Sequence, residues 1–151
     1  MKVYFASDHA GYELKEKLKP FVAKLGFEVE DFGAVSYVET DDYPDTVLPA
    51  AQAIAANPGT FAVIIGGSGQ GEAIAANRIL GVHAIVYYGG TLDIVRIARE
   101  HNDANMLSLG ARFLMEDEAQ YAVSLFLKTK FSGDERHVRR IKKIDTVATS
   151  A

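Results

Sequence analysis

The chain has 151 residues, 48% of them apolar and 24% charged, with a formal net charge of -4 and no cysteine. That length suits one domain with its own core, and the charge gives no reason to expect nucleic acid or an anionic membrane as partner. The missing cysteines exclude disulfides, thiolate metal sites and a thiol nucleophile. No apolar run is as long as a membrane span. "MKVYFASDHAG" has neither the apolar region nor the cleavage site of a signal peptide, so a cytoplasmic protein is expected.

In chain order, "KVYFAS" (Lys2–Ser7) has the apolar run of a buried strand. Leu14, Leu18, Phe21, Val22 and Leu25 then recur at helical spacing. Pro20 falls inside that pattern, where a kink is expected, and Gly26 ends it. "FEVEDFG" is a second strand, and "YPDTVLPAAQAIAAN" a helix stopped by Pro58-Gly59. "FAVII" is a third strand, leading through a glycine-rich loop into a helix. "VHAIVYY" is the fourth strand, Leu92 to His101 a helix, and "NMLSLG" the fifth strand. Glu116 to Lys130 and about 135–148 complete the helices. Strands alternating with helices predict a five-stranded parallel sheet covered on both faces, with a C-terminal helix extension. There is no linker or repeat, so residues 1–151 form a single domain. Ligands of such sheets bind at the carboxyl ends of the strands. That rule draws attention to Asp8 and His9 after strand one, to Asp41, Asp42 and Tyr43 before the second helix, to Gly66 to Glu72 after strand three, and to His101 and Asn102.

"IIGGSGQGEAIAANR" (Ile64 to Arg78) is the densest stretch. It is not a P-loop, because no lysine followed by serine or threonine ends it, and it does not complete G-x-G-x-x-G. The glycines expose backbone N–H groups at a helix start, which suits an anion or a developing oxyanion. A tight strand-to-helix turn would also use glycine. Glu72 either complements the helix dipole or, with its pKa balanced between dipole and burial, serves as a general base. Asp8 either caps a helix or lines the strand-end cleft with His9. His101 either meets the helix's last carbonyls or does chemistry. Asp8, His9 and His101 lack the close spacing of a metal site, so no metal is expected. In "GDERHVRRIKKI", Arg136 and Arg140 stand at i and i+4 and share a helix face. Two guanidinium forks on one face suit a phosphate.

"SDHAGYELK", "DYPD", "GGSGQGEAIAANR", "REHNDANMLSLGAR" and "RHVRRIKKI" together resemble the ribose-5-phosphate isomerase type B family, which includes galactose-6-phosphate and allose-6-phosphate isomerases. The resemblance runs from Lys2 to about Ile144. It implies a Rossmann-like three-layer α/β/α fold. It also implies a homodimer, sometimes a tetramer, with active sites shared between subunits, the C-terminal helix packing on the partner, and neither metal nor cofactor. Many members carry a cysteine base in a "CGTG" loop. Here that position is Gly66, and Glu72 resembles the glutamate base of a second branch.

The resemblance assigns ring opening to His101 with Asp8 at the ring oxygen, the oxyanion nest to Gly67, Ser68, Gly69, Gln70 and Gly71, and contact near O1 to Ser68. It assigns the phosphate or sugar end to His9, Arg112, Arg136 and Arg140, a sugar hydroxyl to Asn102, and the site wall to Tyr43. The implied reaction interconverts ribose 5-phosphate and ribulose 5-phosphate through an enediolate. Alternatives are another sugar phosphate (allose or galactose 6-phosphate, or a tetrose phosphate) or a non-catalytic nucleotide- or phosphate-binding module.

Overall fold

The computed structural model describes residues 1–149, with side chains to residue 147. In β1 (Lys2–Ser7) alternate residues serve opposite faces of the sheet. Val3 and Phe5 enter one core, Tyr4 and Ala6 the other. β3 (Phe61–Gly66) is buried throughout and divides the same way, with Phe61, Val63 and Ile65 on one side and Ala62 and Ile64 on the other. β2 (Glu28–Asp31), β4 (Ala84–Tyr87) and β5 (Met106–Gly110) complete a parallel sheet in the order β2-β1-β3-β5-β4. Three of the strands are shorter than the patterns "FEVEDFG", "VHAIVYY" and "NMLSLG" suggest, although single backbone bonds continue past their ends, as from the Phe32 amide to the Phe5 carbonyl at 2.8 Å.

Helices α1 (His9–Lys24), α4 (Asp93–Asn102) and α5 (Glu116–Lys128) cover one face through Leu18, Val22, Val95, Ala98, Val123 and Phe126. Helices α2 (Pro44–Ala56) and α3 (Gln70–Ala76) cover the other through Val47, Ala50, Ala51, Ile54 and Ala76. The result is a Rossmann-like α/β/α sandwich. α1 continues unbroken through Pro20. None of the described helices is long and apolar enough to cross a membrane. A final helix, α6 (Glu135–Thr149), touches α4. His83 Nε2 lies 2.9 Å from Asp145 Oδ1, which ties α6 to the start of β4.

From β1 the chain moves outward to β2. It then returns past β1 to β3 and the far half of the sheet. The strand order therefore reverses between β1 and β3, and a crevice opens at their carboxyl ends. Both flanking turns are built for close approach. Asp8 caps α1, accepting from the amides of Ala10 at 3.0 Å and Gly11 at 3.2 Å. Gly11 lies against the backbone of Ile65 in β3, where any side chain would collide with the Ile65 carbonyl. At the end of β3, Gly69 adopts φ +76°, which glycine reaches without strain, and its carbonyl accepts from the buried Ser108 hydroxyl at 2.6 Å. The neighbouring strand ends are thereby locked side by side.

Candidate active site

The crevice is a cavity of ≈ 360 Å³ lined by Asp8, His9, Tyr43, Gly67, Ser68, Gly71, Glu72, Arg112 and Phe113, with Ala10 at its edge. Two carboxyls stand at its floor, Glu72 4% exposed and Asp8 7% exposed. Glu72 lies in the first turn of α3, and its carboxylate sits over the α-carbon of Gly66. Burial raises the Glu72 pKa above the ordinary glutamate value, the nearby Asp8 charge adds to the rise, and a bond from its own amide opposes it. Asp8 proves to be both helix cap and cleft residue.

His9 stands at the mouth. Its Nδ1 is 2.7 Å from Asp41 Oδ1, and its amide donates to the same oxygen at 2.9 Å. The hydrogen bond to Asp41 raises the His9 pKa, with the Asp8 charge adding and Arg112 opposing. When His9 is protonated it forms, with Arg112, a cationic rim above an acidic floor. Among the described residues no carboxylate pairs with Arg112, and its guanidinium lies against Gly67, where a Cβ would stand 3.0 Å from Cζ. Tyr43 closes one wall with its hydroxyl on Gly71.

Of the first three α3 amides, which have no intrahelical acceptor, that of Gln70 donates to Ser68 Oγ at 3.3 Å and that of Glu72 to its own carboxylate. The Gly71 amide remains for a ligand oxygen. Ser68 is exposed at the mouth, and Gln70 points to solvent. Asp8, His9 and Asp41 each place one potential ligand atom within 4.8 Å of the others, a different trio from the one considered in the sequence.

Gly69 and Gln70 belong to the loop but do not line the cavity, and four expected residues lie away from it altogether. His101 and Asn102 end α4, and in a parallel βαβ unit that helix carries the chain back to the amino ends of the strands. They therefore sit at the opposite edge of the sheet from Glu72, and the strand-end rule does not apply to them. His101 stacks on His137 of α6, with centroids 4.3 Å apart and planes 13° from parallel. Arg136 and Arg140 project from α6 into solvent. Among the described residues the one ion pair of Arg136 is with Asp134, at 4.0 Å, whereas Arg139 is tied to Glu135 at 2.9 Å. One chain therefore carries two separate groups of expected residues, a cleft with two acids and a remote patch with a histidine and two arginines.

Sequence reasoning missed Asp41 as the partner of His9, although "TDDYPD" marked the loop, and it missed Phe113, 61% exposed at the rim, which carried no signal.

The family described as Ribose/Galactose Isomerase matches residues 3–144. Ribose-5-phosphate isomerase B of Mycobacterium leprae is 40% identical over 141 residues, covering 93% of this chain and 86% of that protein. The solved structure of the Clostridium thermocellum ribose-5-phosphate isomerase B superposes with TM-score 0.92 at 40% identity, over 99% of this chain and 98% of that one. The Mycoplasma genitalium enzyme, solved with bound ribulose-5-phosphate, superposes with TM-score 0.93 at 34% identity, over 99% and 97%. By sequence over nearly its whole length, and by fold, the chain belongs to the Ribose/Galactose Isomerase family.

Proposed function

We infer that the protein interconverts ribose 5-phosphate and ribulose 5-phosphate, that Glu72 is the base, and that two chains build each active site. The observation that carries this is the seat of the Glu72 carboxylate. It is buried over a bare Gly66, beside a loop that offers an amide, and under a cationic rim. The relatives named above are ribose-5-phosphate isomerases by name, and one of them holds ribulose-5-phosphate.

The phosphate anchors the substrate. His9 and Arg112 contribute from one chain, and Arg136 and Arg140 of the partner subunit supply the forks. Remote binding energy of this kind fixes the reacting carbons. His101 of the partner subunit takes the anomeric hydroxyl proton, Asp8 assists at the ring oxygen, and Asn102 of the partner subunit holds a sugar hydroxyl. Glu72 then removes the proton from C2 of the opened aldose. Burial has raised its pKa toward the working range, which makes it a stronger base once ionised. The enediolate oxygen that develops meets the Gly71 amide and Ser68. The O2 proton passes to O1, and reprotonation at C1 by the same carboxyl as the C2 carbonyl forms gives the ketose. Glu72 and the phosphate keep apart because the length of the sugar lies between them.

A coupled assay for ketose formation from ribose 5-phosphate, run on wild type and Glu72→Gln, tests the proposal. Turnover in the wild type that disappears in the variant is the expected result. An active Glu72→Gln would assign the base elsewhere, with Asp8 next in line.

A further inference from the structure

His101 has a second histidine as its stacking partner. His137, in the first turn of α6, is 4% exposed, and its Nε2 is buried without a hydrogen-bond partner among the described residues. The rings lie 4.3 Å apart and 13° from parallel. Burial lowers the His137 pKa, and His101, Arg136 and Arg140 push the same way against Asp134.

Packing alone accounts poorly for this residue. A leucine or phenylalanine would fill the space without burying an unpaired nitrogen. A stacked ring, in contrast, restricts rotation of the imidazole beneath it, and its face attracts that imidazole when it becomes a cation. Of the two rings His101 is the one with access to solvent, and so to a substrate held by another chain.

Resting on the assignment of His101 to ring opening, we propose that His137 is a positioning residue for that step. Its ring fixes the plane of His101, aims the His101 nitrogens out of its own protomer, and supports His101 while it carries the substrate's proton. In the step itself the anomeric hydroxyl gives its proton to His101. The bond from C1 to the ring oxygen breaks as the C1 carbonyl forms. The ring oxygen takes a proton back and leaves as the C4 hydroxyl.

Ribulose 5-phosphate separates this role from the others. Its C5 hydroxyl is esterified, so its ketone cannot close a five- or six-membered ring and the sugar stays open-chain. Exchange of its C1 proton with solvent deuterium needs the base and the oxyanion donors but no ring opening. The test measures kcat and KM for ribose 5-phosphate, and this exchange by NMR, in wild type, His137→Leu and His137→Phe.

In His137→Leu, kcat should fall by roughly tenfold or more while exchange stays near the wild-type rate. KM should move by less than about threefold. His137→Phe, which keeps a flat face, should recover much of the loss. If kcat is unchanged, or if exchange falls in step with it, His137 is a core residue only and the proposal is overturned. Should His137→Leu fail to fold by circular dichroism, His137→Gln, which also lacks a ring, takes its place with the same expectations. His101→Asn checks the underlying assignment. If it spares turnover of ribose 5-phosphate, His101 does not open the ring. If it abolishes turnover while His137→Leu leaves kcat intact, only the role of His137 fails.

Discussion

The carboxylate of Glu72 occupies the space above Gly66 that a side chain at position 66 would fill. A base reaching in from the first turn of α3 and a base growing from the end of β3 are therefore mutually exclusive. One point in the cleft can be served from either position.

This exclusion can be tested by exchange. Gly66→Cys alone should fold, because the obstructing atoms are the mobile end of Glu72, but it should lose most activity by displacing the carboxylate. Glu72→Ala combined with Gly66→Cys should regain activity by at least about tenfold over Glu72→Ala alone. The wild type, with no cysteine, should resist iodoacetamide, and the double variant should be inactivated by it. A double variant no better than Glu72→Ala would show that the two seats are not equivalent.

Glu72→Gln keeps the size of the side chain and removes the base. Turnover should drop by about 100-fold or more, substrate binding should survive, and C2 deuterium exchange of the aldose should cease. The same variant should be more heat-stable than wild type at neutral pH. A folded-state pKa raised above the unfolded value stabilises at low pH, and that contribution is lost as pH rises through the folded pKa. The ionised carboxylate thus costs stability at pH 7. The gap in Tm should close below the ordinary glutamate value of 4.5. A gap independent of pH would contradict the buried-charge account.

Asp41→Asn addresses the cationic rim. The hydrogen bond to the aspartate raises the His9 pKa above its ordinary value, so His9 keeps its charge to higher pH than a free imidazole and loses it as pH rises through the raised value. In the variant that loss should begin at lower pH, and KM should climb with it while kcat changes little. NMR titration of His9 together with KM profiles would measure both. Coincident profiles in the two proteins would remove His9 from phosphate binding.

Sharing of the site predicts complementation. Glu72→Gln and Arg136→Ala proteins should each be nearly inactive. After subunit exchange, mixed dimers hold one intact site of two, which restores about a quarter of the wild-type rate at equal mixing. Mixed dimers that form and remain inactive would place each site within one chain.

Much of this was legible locally. The buried run of β3, the spacing along α1 and the glycine loop each announce themselves within a few residues. Asp8 offered two readings and both hold, since a residue that ends a strand at the switch point is also the one that caps the next helix. His101 illustrates a misapplied rule. A helix leading into a parallel strand must finish at the amino edge, so its last residues cannot join a carboxyl-edge cleft of the same chain. The pairing of Asp41 with His9 spans 32 residues and depends on the loop before α2 folding back across β1, which no local pattern encodes. The burial of His137 between exposed arginines follows from how α6 lies on α4, again a long-range matter.

Gly11 sets a dimension that no rotamer can adjust. Because α1 meets β3 backbone to backbone, the gap between the turn bearing Asp8 and the loop bearing Glu72 is fixed by main-chain contact. A substitution elsewhere can enlarge a pocket by trimming a side chain, but there is none to trim at this seam. Room for a longer or shorter sugar must therefore come from the far wall, which in the proposed dimer belongs to the second chain. The gauge of the reacting end and the choice of substrate length are then under the control of different surfaces, so one can change across evolution while the other stays fixed.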